Sequence, residues 1–278
     1  MCRALMDGGR RCPEHPLTEA ERRTINATRR ATYATQKHNA ETVLVSTLIE
    51  KYQFPNVIHE PVDEGDELFT IFNKRFEKLK LTKEEQKVLY DYTTMDFKKI
   101  RQNISRRDEQ RNVSVSFSKA KREELNKKVQ VLDKVFSKLK PFKEPVTVFR
   151  GWNIPPHQDV SAYLAETFVP GTIWADKTYM STSLNADVAV QFPNHDVKAG
   201  HKIMFEIITD NGLPVPRDYT FMNGEAELLL ARKNKFVVAE VIPNSVYEWK
   251  MSKDDTEPYK TKATVIRLID TNLYKGDK

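Results

Sequence analysis

Near its C-terminal end the chain reads Gly224-Glu225-Ala226-Glu227-Leu228-Leu229-Leu230, two carboxylates two positions apart running into an apolar stretch. Side chains alternate across a β-strand. A strand beginning near Glu225 therefore turns both carboxylates toward one cleft and leaves Leu228 and Leu230 for the core side. Gly224 supplies a turn at no steric cost. Such a pair can divide labour, one carboxylate stabilising a sugar cation while the other handles an acceptor. Alone, a Glu-x-Glu is more often a pair of solvated edge charges.

Two further motifs stand upstream. In Thr147-Val148-Phe149-Arg150-Gly151 an arginine ends a β-branched run and a glycine follows it. The arginine offers a planar fork of donors to a phosphate, and the glycine lets a ligand approach the backbone. In Tyr179-Met180-Ser181-Thr182-Ser183-Leu184, alternation puts Ser181 and Ser183 on one face, where hydroxyls can orient a carboxylate or a ribose. Each motif alone is more often a surface arginine before a turn, or a strand end rich in hydroxyls. Their succession, each at a strand, is far more specific.

The elements that must position these residues change character along the chain. An irregular arm over the first fifteen residues is followed by a helix from Thr18 to about Tyr52, opened by a Thr18/Glu21 capping box. Further helices are expected from Asp66 to Lys80, from Thr82 to Ile104 behind a second capping box with Glu85, and from Ser118 to Lys140. The basic stretch Arg101 to Arg111 reads as a loop. Beyond Pro145 the pattern turns to strands: Val146 to Arg150, Thr172 to Trp174, Thr178 to Thr182, Lys202 to Ile208, Ala226 to Ala231, Phe236 to Ile242 and Thr264 to Ile269. Short helices fall at Val160 to Thr167 and Ala186 to Phe192. Helices first and strands afterwards predict an α+β fold. The division expected is a basic arm and helix over residues 1–60 and a catalytic domain over 61–278, with a helical lobe at 61–141 and a sheet core at 142–278.

With 278 residues the chain can bury a full core. Its net charge of +6 permits acidic or phosphate-bearing partners without demanding them. No apolar run approaches the ~18–20 residues of a membrane span, so no membrane partner is expected. The polar, arginine-rich start lacks a signal-peptide core. Cytoplasm is the expected location, with secretion by a signal-independent route left open. Two cysteines, Cys2 and Cys12, exclude a disulfide scaffold. With His15 and His38 they fit no standard zinc spacing, and no metal is expected. Walker, Rossmann, His-Glu-x-x-His and Gly-x-Ser-x-Gly motifs are absent.

Arginine, then Ser-Thr-Ser, then Glu-x-Glu resembles the Arg-Ser-Glu class of mono-ADP-ribosyltransferases, which includes binary actin-modifying toxins and related bacterial and phage enzymes. The resemblance runs from about Leu81 to Ile269. Leu81-Thr82-Lys83-Glu84-Glu85 and Tyr92-Thr93 match its early helix, Val131-Leu132-Asp133-Lys134 its entry to the first strand, and Gly171, Ala189 and Phe192 its middle block. It implies an ADP-ribosyltransferase-like fold: two packed, mainly antiparallel sheets with a helical N-terminal lobe, and NAD+ as co-substrate in the cleft between them. Arg150 would hold a phosphate or ribose and the Gly151 backbone the nicotinamide amide. Ser181, with Thr182 and Ser183, would line the cofactor site and orient Glu227. Glu227 would stabilise the oxocarbenium-like state as nicotinamide leaves. Nicotinamide is a good leaving group, so the reaction asks for no metal or general acid.

In this class Glu at position 225 accompanies arginine as acceptor, since a carboxylate can align a guanidinium and help take its proton. Tyr219 and Phe221 become candidates for contact with a target protein, and Phe192 or Tyr179 for stacking on nicotinamide, with core packing the alternative. Two departures stand out. Ile100-Arg101 occupies the place of an Ile-Asn pair, leaving Arg101 or Asn103 as substitutes for the helix's NAD contact. The expected loop from Pro193 to Gly200 has Lys198 and no arginine. Transfer to protein arginine leads. Transfer to RNA or DNA, served by Arg22, Arg23, Arg29, Arg30 and Lys37, is the alternative, along with NAD glycohydrolysis and a silent binding module.

Overall fold

The computed structural model describes residues 18–55, 58–63, 65–108, 113–156, 158–196, 200–219 and 226–275. The chain divides into two compact units, Met1–Thr47 and Leu48–Lys278. The long helix α1 (Glu19–Lys51) begins in the first and ends in the second. Its start is fixed as the spacing predicts: the Glu21 N–H donates to Thr18 Oγ1 at 3.3 Å and the Thr18 N–H to Glu21 Oε2 at 2.9 Å. The division falls where α1 first buries a side chain, at Leu48. Arg22, Arg23, Arg29, Arg30, Lys37 and His38 are all exposed. Cys2, Cys12 and His15 lie outside the described residues.

The second unit opens with α2 (Glu67–Lys78), α3 (Lys83–Asp91), a π turn (Tyr92–Asp96) and α4 (Phe97–Ser105). Thr82 Oγ1 accepts the Glu85 N–H at 3.2 Å while Glu85 Oε2 accepts the Thr82 N–H at 2.8 Å, the second predicted capping box. The π turn breaks the single helix expected from Thr82 to Ile104, and Arg101 lies inside α4, not in a loop. A small hairpin, β1 (Arg107–Asp108) and β2 (Val113–Ser114), leads to α5 (Lys119–Ser137).

Strands then dominate: β3 (Val146–Ile154), α6 (Val160–Thr167), β4 (Ile173–Ala175), β5 (Met180–Ser183), α7 (Ala186–Asp196), β6 (His201–Thr209), β7 (Leu213–Val215), a 3-10 turn (Arg217–Tyr219), β8 (Glu227–Leu230), β9 (Lys235–Trp249), β10 (Tyr259–Asp270) and a closing 3-10 turn (Thr271–Leu273). The α+β class holds. Helix α7 runs to Asp196 and takes up the first part of the loop expected from Pro193; Lys198 lies outside the described residues.

The strands order as β4-β9-β10-β6-β3-β5-β8-β7, parallel only between β10 and β6. One joint is thin. Strand β3 meets β6 over nine pairs but meets β5 at the single pair Phe149↔Ser183. Two groups of strands, β4-β9-β10-β6-β3 and β5-β8-β7, are joined at that pair alone. The strands expected in two packed sheets thus form one continuous eight-stranded sheet.

Three apolar clusters hold the unit. Leu228, Leu230 and Met180 join Val148, Phe205 and Phe236 in the largest, under α2 and α6. On the opposite side of β5 and β8, Tyr179 and Leu229 pack with Leu89, Tyr92, Ile100, Leu125 and Leu132 from α3, the π turn, α4 and α5. The third lies between α7 and strands β3, β6, β9 and β10. Among the described residues no helix is long and apolar enough to cross a membrane.

Candidate active site

The candidate site forms where β3 and β5 part within the sheet. The Leu184 N–H donates to the Ala226 carbonyl at 2.9 Å, and Met180 to Ser183 pair in register with Leu230 to Glu227. In an antiparallel ladder, residues that exchange backbone bonds alternate with residues that do not. The bonds from β5 to β8 thus run through Leu184, Thr182 and Met180. The N–H and C=O groups of Ser183, Ser181 and Tyr179 point the other way, toward β3. Strand β3 answers only at Phe149 and then diverges. By the same alternation Gly151, two residues past Phe149, directs its N–H and C=O into the gap.

Cationic side chains occupy the opened edge. The Arg150 guanidinium crosses the gap and donates through Nη1 to the Ser181 carbonyl at 2.8 Å. Arg101 Nη1 donates to the Tyr179 carbonyl at 2.5 Å, and the Tyr92 hydroxyl reaches the same carbonyl at 3.5 Å. These donors satisfy carbonyls for which the splayed strand offers no partner.

Glu227 begins β8 and is only 8% exposed. Directly across the ladder stands Ser183, while Ser181 faces Leu229. The expected Ser181–Glu227 relationship is therefore a diagonal on one face of the sheet, not a direct pair. The Ser183 hydroxyl accepts the Asn185 N–H at 3.0 Å and steadies the turn into α7. Thr182 corrects an expectation. It points to the opposite, apolar face, is buried, and donates its hydroxyl to the Leu228 carbonyl at 2.5 Å, which makes it part of the sheet's packing and not a cofactor contact.

Tyr179 is also core, not a stacking platform. It is fully buried against Phe136 and Tyr92, and its hydroxyl donates to Asp133 Oδ1 at 2.7 Å and to the Val129 carbonyl at 3.0 Å. Burial, then the Asp133 carboxylate, push its ionisation far upward, so it stays a donor. Burial works against the Asp133 carboxylate, but Arg232, at 2.8 Å through Nε, and the Tyr179 hydroxyl outweigh it and hold Asp133 below the usual range. The Tyr92 hydroxyl is likewise pushed well up by burial, and the charges of Arg101, Glu227, Arg150 and Asp176 all act on it. Two arginines and two carboxylates thus converge around one buried phenol.

Tyr219 is half-buried. It packs on Phe76 and Tyr90, and its carbonyl accepts from the Thr93 hydroxyl of the π turn, which anchors the chain entering the segment before Glu227. Asn103 is buried and donates to Asn126 Oδ1 at 2.9 Å, inside the helical lobe; it is no substitute for a cofactor contact. Phe192 lies on α7, with its side chain outside the described residues, as are Phe221 and Glu225. No group of three or more metal-ligating side chains occurs among the described residues. Sequence reading missed Asp176 and Arg232. The Asp176-Lys177-Thr178 turn signature was the available signal: Asp176 Oδ1 accepts both the N–H and the hydroxyl of Thr178 at 2.8 Å.

The parting strands thus carry an arginine and a serine, with a shielded glutamate on the neighbouring strand. The chain belongs to the ADP-ribosyltransferase exoenzyme family, whose profile matches residues 71–267. No curated protein sequence matches it significantly. Among solved structures, it is similar to the ADP-ribosyltransferase Vis from Vibrio splendidus in complex with agmatine, at 15% identity and a TM-score of 0.51 over 76% of this chain and 87% of Vis. It is also similar to C3stau2 from S. aureus with NAD, at 16% identity and a TM-score of 0.50 over 77% of this chain and 99% of that one. At these identities the likeness is one of fold.

Proposed function

We propose that this chain is an NAD+-dependent mono-ADP-ribosyltransferase that modifies arginine side chains of target proteins. The observation that carries the reading is that Arg150 and the inward-turned backbone of Gly151 line the gap between β3 and β5 while Ser181 and Glu227 share one face of the adjoining strands, Arg150 and Glu227 both acting on the buried Tyr92. These groups fit NAD+: a guanidinium for phosphate, a backbone donor and acceptor for a carboxamide, and a shielded carboxylate for a ribose hydroxyl. NAD+ supplies the electrophilic sugar carbon and nicotinamide as leaving group. Glu227, largely screened from water, stabilises positive charge where it develops. Arg150 fixes the anionic part of the substrate while bracing Ser181. Glu225, two residues before Glu227, aligns the incoming guanidinium and helps take its proton.

The test is labelled NAD+ with agmatine as a small guanidino acceptor and, in parallel, a cell extract digested with protease or nuclease. Wild type should release nicotinamide, label agmatine, and yield protease-sensitive label. Glu225→Gln should lose agmatine labelling far more than nicotinamide release. Equal labelling by wild type and Glu225→Gln would overturn the arginine assignment, and nuclease-sensitive label would replace protein with nucleic acid as the target.

A further inference from the structure

We infer that Arg101 is a positioning residue that holds β5, and through it Glu227, in the reactive register; this rests on the function proposed above. The guanidinium of Arg101 grips the turn that launches β5 at both ends. Nη1 donates to the Tyr179 carbonyl at 2.5 Å and Nη2 lies 3.7 Å from Asp176 Oδ2. Asp176 is itself tied to Thr178, and its carbonyl accepts the Lys233 N–H at 2.9 Å. Arg101 is only 14% exposed at its side chain, as is Asp176, so the contact is shielded from the screening that weakens surface pairs.

The π turn makes this reach possible. Tyr92 and Arg101 are nine residues apart, which at about 100° per residue puts them on opposite faces of an α-helix. A π turn takes up one extra residue and returns about 100° of that rotation. The two side chains then converge on one carbonyl, that of Tyr179, which they do.

The consequence passes to the catalytic carboxylate by the ladder. Arg101 and Arg150 hold the successive outward carbonyls of Tyr179 and Ser181, standing where a neighbouring strand would. The inward groups of the same strand bond to β8, whose first residue is Glu227. A shift of β5 therefore shifts Glu227. The guanidinium is engaged by the protein's own Tyr179 carbonyl and Asp176 carboxylate, so its effect falls on the rate of the chemical step and not on dinucleotide affinity.

Wild type, R101Q, R101K and D176N would be compared for nicotinamide release over a range of NAD+ concentrations and for hydrogen exchange of the peptide spanning Met180–Leu184. R101Q should lower kcat at least about tenfold with KM for NAD+ within about twofold. R101K should recover part of kcat, since an ammonium can meet the Tyr179 carbonyl but not Asp176 as well, and D176N should fall between wild type and R101Q. Exchange in the β5 peptide should rise in R101Q while the α5 peptides keep their protection. A tenfold rise in KM with kcat unchanged would show instead that Arg101 holds the dinucleotide, and unchanged kinetics and exchange would show that the strut is dispensable. Should R101Q fail to fold, the kcat and exchange of R101K decide. The exchange readout needs no turnover, so a wild type that releases no nicotinamide would overturn the proposed function while leaving the strut to be decided by exchange.

Discussion

Ser183 stands directly across the ladder from Glu227, yet its hydroxyl is engaged by the Asn185 N–H. The serine that faces the glutamate thus accepts a bond from the turn and keeps its own O–H as a donor, while Ser181 lies one diagonal away on the same face. Glu227→Gln keeps the side chain's shape and removes the charge. Nicotinamide release should fall at least about 100-fold with thermal unfolding close to wild type. Ser181→Ala should cost activity, whereas Ser183→Ala should cost about 1 kcal/mol of stability in denaturant unfolding and less activity. A Glu227→Gln protein that still cleaves NAD+ would remove this residue from the chemistry.

Arg150 braces the fold, and the proposed function gives it the substrate phosphate as well. Its guanidinium carries five donors in a fixed fork, and one of them goes to the Ser181 carbonyl. Arg150→Ala should raise KM for NAD+ by about tenfold or more and also lower kcat, because β5 loses a brace. Arg150→Lys, which keeps charge but not the fork, should fall between. Steady-state nicotinamide release separates the two parameters, and an unchanged KM would exclude Arg150 from the phosphate site.

Local chemistry made much of this architecture legible. Thr18/Glu21 and Thr82/Glu85 announce their helices because both bonds of a capping box are encoded by two residues three apart. The π turn was not legible: Leu89, Tyr92 and Ile100 keep a helical apolar pattern through it, and one extra residue leaves no compositional mark. The sequence pattern places the end of this strand at Ile242, just before Pro243. In the structure the strand continues to Trp249, because Pro243 and Asn244, the latter at φ 53°, form a bulge that lets Ser245 pair with Ala263 after Ile242 has paired with Val265. Pro214 hid β7 in the same way, and β7 is an edge strand, where a proline is tolerated. For the candidate site, Arg150, Ser181 and Glu227 stand out by residue type and spacing. The splay of β3 from β5, which creates the gap, depends on long-range register that no short motif encodes.

Thr93 offers a way to separate acceptor recognition from NAD+ cleavage. Its hydroxyl, on the π turn, holds the Tyr219 carbonyl just before the segment leading to Glu225 and Glu227. Thr93→Val is close in shape and removes the donor, at about 1 kcal/mol. The apparent KM for agmatine or a protein acceptor should rise several-fold, about that energy's worth, while nicotinamide release without acceptor stays near wild type. A parallel loss of both activities would mean that the anchor supports the whole site and not the acceptor side.

The pH dependence of stability should bear the mark of Asp270, far from the gap at the end of β10. Burial pushes its ionisation up to about 6, with the nearby Asp210 carboxylate adding to the effect, against hydrogen bonds from Asn272 and Thr209 that favour the charged form. Its folded value lies above its unfolded one, near 3.8. The native state therefore binds the extra proton between these values, and stability is lost as pH rises through about 6. Asp270→Asn removes the titration while keeping an oxygen for the Asn272 N–H and an amide that can donate to Thr209. Between pH 5 and pH 8 the variant should gain about 1–2 kcal/mol relative to wild type, read as the difference in denaturant unfolding free energy. A difference that does not change with pH would show that Asp270 is not the group that titrates. One that changes in the opposite direction would show that its hydrogen bonds outweigh its burial.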